Sequence, residues 1–508
     1  MIGKKVISVL FSVLALSLLA ACQGARSPAE SAASSAETAG AAVQTVLDTA
    51  QSAAQPEATA AASAAAVLAS SAAAEAPLPT TPATPADATT TLSLNGDSIS
   101  VTGGGVTVSG QVATISAAGT YSLSGALGDG QIVVATEDSG TVQLILNGAD
   151  IRSTTSAPIN IAAATAVVIT LADNTTNSLS DATSYIFANP EEDEPNAALF
   201  SNADLTLNGG GALTVSGNYA DAISSDDGLI IDGGTITVSA ADDGLRGKDY
   251  LVVRGGAITV TAGGDGRKPD NEDDATPGTV DIEDGSLTVT AGGDAISAET
   301  AALITGGEYA LASGGGHTAA IAGDASAKGI KGGTDVLIDA GTFTIDTADD
   351  AIHANGNVVI NGGTYTLATG DDGIHADATV TINGGEIDVT ASYEGVESAV
   401  ITLNAGDIHI LASDDGINVA GGVDGSGMMA GPGRRGRGGP GAPSADASTY
   451  TGSYFLYING GTVVVDAAGD GIDVNGAIVM TDGLVLVNGP TEQMNGALDY
   501  DGGFSING

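Results

Sequence analysis

Asp350-Ala-Ile-His-Ala-Asn-Gly-Asn-Val-Val-Ile-Asn-Gly-Gly363 is followed, 22 residues on, by the near copy Asp372-Gly-Ile-His-Ala-Asp-Ala-Thr-Val-Thr-Ile-Asn-Gly-Gly385. A fixed period of this length marks chains in which each repeat is one structural unit that buries its apolar face only by stacking on the next. The register extends well beyond the pair. Turn glycines align at Gly211, Gly234, Gly256, Gly285, Gly307, Gly341, Gly363, Gly385, Gly406, Gly461 and Gly483, a period of 22 residues with insertions of 7, 12 and 33. Two residues after these glycines an apolar side chain recurs, as in Ile236, Ile258, Tyr309, Phe343, Tyr365 and Ile387, and a second follows two residues later, as in Val238, Val260, Ile345 and Leu367. Mostly Thr lies between them, which is the alternation of a strand with one face in and one out.

A second strand precedes the glycines, with Leu229, Ile231, Val358, Ile360, Val380 and Ile382 pointing in, and a short third strand carries Ile352, Ile374 and Ile417. Three short strands in 22 residues with Gly or Asn at the corners predict an all-β right-handed parallel β-helix, a solenoid of 22-residue coils. An antiparallel array would need regular two-residue hairpin turns, which these corners lack. Stacked coils lie about 4.8 Å apart, so equivalent residues should form ladders. Tyr309, Phe343 and Tyr365 are one expected column, and Asn361, Asn383 and Asn404 another.

Composition agrees with a thin-layered core. The 508 residues include 74 glycines and no tryptophan, 3% are aromatic and 43% hydrophobic, and the formal net charge is −47. Such a surface repels nucleic acid and anionic lipid, which leaves cations, or polyanions bridged by cations, as partners. Cys22 is the one cysteine, so disulfides and Cys-based zinc sites are excluded. Lys4 and Lys5, the apolar run Val6 to Ala21, and Leu19-Ala-Ala-Cys22 read as a bacterial lipoprotein signal peptide over 1–22, with Cys22 as the lipidated residue. No further segment is long and apolar enough to span a membrane, so the membrane is reached through the lipid alone.

Residues 23–90 are Ala, Ser, Thr and Pro with almost no large apolar side chain, and read as a disordered tether. The β-helix is expected over 91–508, its first part, from Leu92 to about Asp181, alternating with only a faint register. An acidic loop, Glu191-Glu-Asp-Glu194, precedes the clear repeats. The longest insertion, 421–449, holds Arg434, Arg435 and Arg437 and reads as a flexible Gly/Arg-rich loop.

The third strand opens with an acid in almost every rung: Asp221, Asp243, Asp265, Asp294, Asp350, Asp372, Glu394, Asp415 and Asp470, with Lys328 replacing it once. Asp242, Asp349, Asp371 and Asp414 double several of them. Carboxylates stacked at this spacing repel unless a cation lies between them or protonation relieves them, and calcium, with its many hard oxygen ligands and forgiving geometry, suits the ladder. A turn aspartate can instead accept hydrogen bonds from turn amides, and that reading stays open for each. Three residues after the acid lie Arg246, Lys268, Ser297, His353, His375, Glu397, Asn418 and Asp473, read as a column flanking the acids on the solvent side. His353 and His375 could form a zinc pair or an acid/base couple, or be surface polar residues. The richest cluster joins Asp242, Asp243, Arg246 and Lys248 to Asp265, Lys268, Asp270, Asn271 and Glu272.

Asp243-Gly-Leu-Arg-Gly-Lys-Asp-Tyr250, Asp193-Glu-Pro-Asn-Ala-Ala198, the Asp-Gly-Ile rungs and the ending Gly496-Ala-Leu-Asp-Tyr-Asp-Gly-Gly-Phe-Ser-Ile-Asn-Gly508 resemble bacterial calcium-binding β-helix carbohydrate-binding proteins. The likeness covers about 92–508. It implies a pectate-lyase-like right-handed fold and binding of cellulose and acidic polysaccharides without catalysis. Arg267 departs from the pattern, standing where other rungs place an inward Ile.

Three functions follow. The first is a calcium-dependent, lipid-anchored, monomeric polysaccharide-binding protein on the extracellular face of a bacterial membrane. It would bind uronate-containing or cellulosic glycans, with Arg246, Lys248, Lys268, His353 and His375 contacting sugar. Asp221, Asp242, Asp243, Asp265, Asp270, Asn271, Glu272, Asp294, Asp349, Asp350, Asp371, Asp372, Asp414 and Asp415 would be its calcium ligands. The second is a structural adhesin stiffened by calcium. The third is a polysaccharide lyase with Arg246, Lys248 or Lys268 as base, weakened because the surrounding carboxylates should raise the pKa of such a base. The first reading has no catalytic residue.

Overall fold

The structure, a computed structural model, describes residues 90–187, 189, 193–268, 278–322, 325–420, 453–490 and 495–507, all within the compact unit Ala58–Gly508. The leader over 1–22 with Cys22, the tether over 23–90 except Thr90, which opens the strand Thr90–Gly96, and the Arg-rich loop over 421–449 lie outside the described residues. Among the described residues no helix is long and apolar enough to cross a membrane.

The all-β class stands, and the periodic residues pair as their spacing predicts. Ile236↔Ile258, Val238↔Val260, Phe343↔Tyr365, Ile352↔Ile374 and Val358↔Val380 are parallel neighbours, each a 22-residue step apart. Strands such as Thr342–Thr347 bury every second residue, so Phe343, Ile345, Tyr365 and Leu367 pack inward while the threonines between them face out. One continuous apolar cluster runs from Leu92 to Ile478. Stacked strands share this interior, and most of the stabilisation comes from its burial.

The right-handed parallel β-helix expected from the spacing, a solenoid with three short strands per coil, is corrected by the strand pairing. Val142–Arg152, Ala166–Leu171, Asp204–Gly209, Leu229–Ala240, Ala212–Gly217 and Thr176–Ser180 each pair in parallel with the next, and the last pairs with the first, forming a closed six-stranded parallel barrel. Among the described residues the remaining strands lie outside this ring, most of them in the same 33-stranded sheet and others in a second sheet of eight strands. The cause is strand length. Leu229–Ala240 runs straight through Gly233 and Gly234, so Leu229 to Ile231 pair with one neighbour and Thr235 to Ala240 with another. Val142–Arg152 divides its pairing in the same way. Near the start, Thr90–Gly96 with Ile99–Thr102 and Val106–Ser109 with Val112–Ile115 are antiparallel hairpins, which the repeat pattern did not foretell.

The turn glycines have a steric reason. Gly256 has φ +101° and a Cβ there would sit 2.9 Å from the Gly234 carbonyl oxygen; Gly385, at φ +108°, would meet Gly363 O at 3.0 Å. An L side chain would be strained on both counts. The chain bends there and backbones stack closely.

Candidate functional site: an acid ladder with its own cations

The predicted acid column is real, and it is tied together by backbone hydrogen bonds. Asp221 Oδ1 accepts from the amide of Asp243 (3.2 Å), Asp243 Oδ1 from Asp265 (2.8 Å), Asp265 Oδ1 from Asp294 (2.8 Å) and Asp294 Oδ1 from Lys328 (2.8 Å). Further along, Asp350 Oδ1 accepts from the Asp372 amide (3.1 Å) and Asp415 Oδ1 from Asp470 (2.6 Å). Each of these acids therefore holds the structure together, because it satisfies the amide of the next step, a group that burial would otherwise leave unpaired.

At Asp221, Asp294 and Asp350 the second oxygen faces a cation that the chain itself supplies. Asp221 Oδ2 lies 4.0 Å from Arg246 Nη1, and Asp294 Oδ2 lies 3.1 Å from Lys331 Nζ. Lys328 Nζ sits 2.7 Å from both Asp349 Oδ1 and Asp350 Oδ2. The lysine that interrupts the acid column thus places its ammonium among Asp349, Asp350 and Asp371, the cluster predicted for calcium. Burial would lower the Lys328 pKa, but Asp350 and Asp349 outweigh it and hold the ammonium well above the usual lysine range. Burial alone would raise Asp350, yet Lys328 and His353 keep it ionised well below the carboxylate range. An all-carboxylate calcium site does not fit there.

His353 and His375 stack, with ring centroids 4.9 Å apart and planes at 12°. His353 Nδ1 lies 2.8 Å from Asp350 Oδ2. His375 was expected on the solvent side; it is buried instead, its Nδ1 3.0 Å from Asp372 Oδ2 and 2.7 Å from Glu397 Oε2. Burial opposes its charge, but the hydrogen bonds it donates to Asp372 and Glu397 prevail and push its pKa up to about 11. A side chain so enclosed does not offer a face to a polysaccharide.

At other acids of the ladder, burial and mutual repulsion outweigh any nearby cation and raise them. Asp221 is pushed to about 7 by burial and by Asp243, Asp371 to about 7 by burial and by Asp350, and Asp415 to about 7 by burial, with Asp414 adding to it. Asp415, Asp470 and Asp473 bring half-buried carboxylate oxygens within 4.8 Å of one another. This donor set is all hard oxygen, which fits calcium. Spacing aligned Asp470 with Asp415 and put Asp473 in the flanking column, but it did not show that the three converge.

Of the other predicted residues, Asp242 is exposed, Asp414 is half-buried beside Asp415, and Lys248 is half-buried with its amide bonded to Ser225 O at 2.9 Å. Lys268 pairs with Arg246 across adjacent strands. Asp270, Asn271 and Glu272, on which the richest expected cluster rested, lie outside the described residues. Asp470 stood in the aligned acid column, Lys328 at its gap, and Glu397 and Asp473 in the flanking column, none of them named as a ligand; Lys331 and Asp377 join the site without having been singled out. Lys331 was findable, since it stands in register with Ser297 and His353.

Comparison with known proteins agrees with the sequence resemblance at the level of family. The family model described as "Carbohydrate-binding domain-containing protein" matches residues 109–373, and the chain belongs to this family. A carbohydrate-binding domain-containing protein from Acetivibrio thermocellus is 43% identical over 126 residues, 25% of this chain and 44% of that relative. The match therefore spans less than half of that protein. A solved polysaccharide lyase-like protein from C. thermocellum, a gadolinium derivative, is similar at 36% identity over 43% of this chain and 89% of its own, with a TM-score of 0.43.

Proposed function

We propose that this protein binds polysaccharide, and that calcium held by carboxylates of the acid ladder bridges the protein to acidic, uronate-containing chains. The family match over 109–373 carries the carbohydrate part of the reading. The calcium part draws on charge. A chain of net charge −47 repels a polyanion unless a cation intervenes, and Asp415, Asp470 and Asp473 offer oxygen donors alone. Cys22 would tether the protein to the outer side of a bacterial membrane through its lipid, and a single copy would suffice for binding. Arg246 has Asp221 beside it and stays protonated, so it serves better as an anion contact than as a lyase base.

The test is retention of the purified protein on pectate, alginate and cellulose, each in calcium and in EGTA. Retention on the uronate polymers that EGTA abolishes is expected. If nothing is retained in calcium, the binding reading falls; calcium-dependent thermal stability without retention would make it a structural adhesin. Unsaturated product absorbing in the ultraviolet would instead make the protein a lyase.

A further inference from the structure

The twin stretches at Asp350 and Asp372 differ in the charges that face them. At the first, Asp350 Oδ2 has Lys328 Nζ at 2.7 Å and His353 Nδ1 at 2.8 Å, while Oδ1 accepts the Asp372 amide. Both oxygens are satisfied and a permanent cation is present. At the second, no lysine among the described residues reaches in. His375 Nδ1 faces both Asp372 Oδ2 and Glu397 Oε2, and a single ring N–H shared between two acceptors aligns fully with neither. The other oxygens, Asp372 Oδ1 and Glu397 Oε1, are buried and have no hydrogen-bond partner among the described residues. These residues are 2% and 1% exposed. Asp350 and Asp371 add negative charge alongside, and Asp372 itself is pushed well above the carboxylate range by its burial. The His375 imidazolium is one charge shared by two buried carboxylates and leaves an oxygen of each unpaired, so a divalent ion in place of the ring proton would satisfy them better.

We propose that Asp372, His375 and Glu397 form a buried site for a divalent transition metal of the zinc type, separate from the Asp415, Asp470 and Asp473 cluster of the proposed function. The three ligand atoms lie within 4.8 Å of one another. Zinc accepts one imidazole nitrogen with carboxylate oxygens at about 2.0–2.2 Å, so an ion seated where the two carboxylates converge on Nδ1 needs only a small opening of the cluster. It would displace the Nδ1 proton to solvent and give Asp372 Oδ1 and Glu397 Oε1 a positive partner. On the far side of the ring, His375 Nε2 lies 3.3 Å from Asp377 Oδ1. A carboxylate in that place fixes the tautomer that leaves Nδ1 free to ligate, as outer carboxylates of zinc-bound histidines do. The nitrogen donor and enclosed position suit zinc, cobalt or nickel better than calcium. His353 carries no such site, since Lys328 already neutralises Asp350.

The test uses the purified protein stripped with EDTA and titrated separately with Zn2+ and Co2+. Zinc is expected to raise the thermal midpoint, and cobalt to give the visible absorption of a low-coordinate N/O site. Glu397→Gln should abolish the cobalt band. Asp377→Asn alters only the outer contact at an exposed residue, and should weaken zinc binding about 10–100-fold while the protein folds normally. No midpoint shift and no cobalt band in the wild type, or unchanged zinc affinity in Glu397→Gln, would overturn the assignment.

Discussion

Lys328 Nζ lies 2.7 Å from Asp350 Oδ2, 22 residues further along the chain, and the same ammonium reaches Asp349 Oδ1. The position that breaks the acid column therefore neutralises it. Lys328→Met leaves two buried carboxylates uncompensated and is expected to cost about 3–5 kcal/mol, the range for removing one partner of a buried ion pair. Urea unfolding at neutral pH without divalent ions checks this. A midpoint equal to that of the wild type would mean that the pair contributes nothing.

Tyr309, Phe343 and Tyr365 stack at 4.5 and 4.7 Å with planes within 5° of parallel. Phe343 is the middle ring and is fully buried. Phe343→Ala should cost about 3–5 kcal/mol and Phe343→Leu distinctly less, because leucine refills most of the cavity. Denaturant midpoints of the two variants measure the difference; equal losses would argue against a packed column.

Stability should fall as pH rises when calcium is absent. Asp221, Asp371 and Asp415 have folded pKa values near 7, raised above the unfolded value of 3.8. A carboxyl raised in this way binds more protons folded than unfolded, so stability declines across the interval from about 4 to 7. His375 acts with the same sign: its contribution is complete below 6.5 and is lost toward about 11. Asp350, lowered by Lys328, works the other way, but only in acid below its ordinary range. In EGTA the thermal midpoint should thus be higher at pH 5 than at pH 8, and calcium should narrow the gap. A midpoint that climbs from pH 5 to pH 8 in EGTA would contradict these assignments.

Asn383 Nδ2 donates to Asn361 Oδ1, and its own Oδ1 accepts from Asn404 Nδ2, both at 2.7 Å on the exposed surface. Asn383→Ala loses both bonds and should cost about 1 kcal/mol, near the net value of a typical hydrogen bond because water competes. Asn383→Asp keeps the acceptor and should fall between the alanine variant and the wild type in the same melts.

Much of this was legible in the residues. The inward Ile and Val positions are buried, the asparagine and aromatic columns stack, and the aligned glycines from Gly234 to Gly483 have positive φ. Hydrophobic period reports which side chains point in. It says little about whether a strand ends at a glycine corner or runs through it, and so, although Gly234 was aligned as a turn glycine, it missed that Leu229–Ala240 continues through Gly233 and Gly234 and divides its pairing between two neighbours. For the site, alignment put acids and bases in columns but could not show that long lysines reach across a step. Lys328 looked like a gap in the ladder, and His375 looked exposed because its enclosing partner, Glu397, comes from the following strand.

The amides of Asp243, Asp265, Asp372 and Asp470 point back to the acid on the preceding step, at Asp221, Asp243, Asp350 and Asp415, whereas the Asp350 amide, preceded by Lys328, turns to Asp349 Oδ1 instead. The face therefore has an arrow. Removing one carboxylate orphans the N–H of its successor and leaves its predecessor's own amide bonded as before. Damage at any acid should travel toward the C-terminus, and amide exchange in an Asp265→Ala variant would quicken at Asp294 while Asp243 kept its protection.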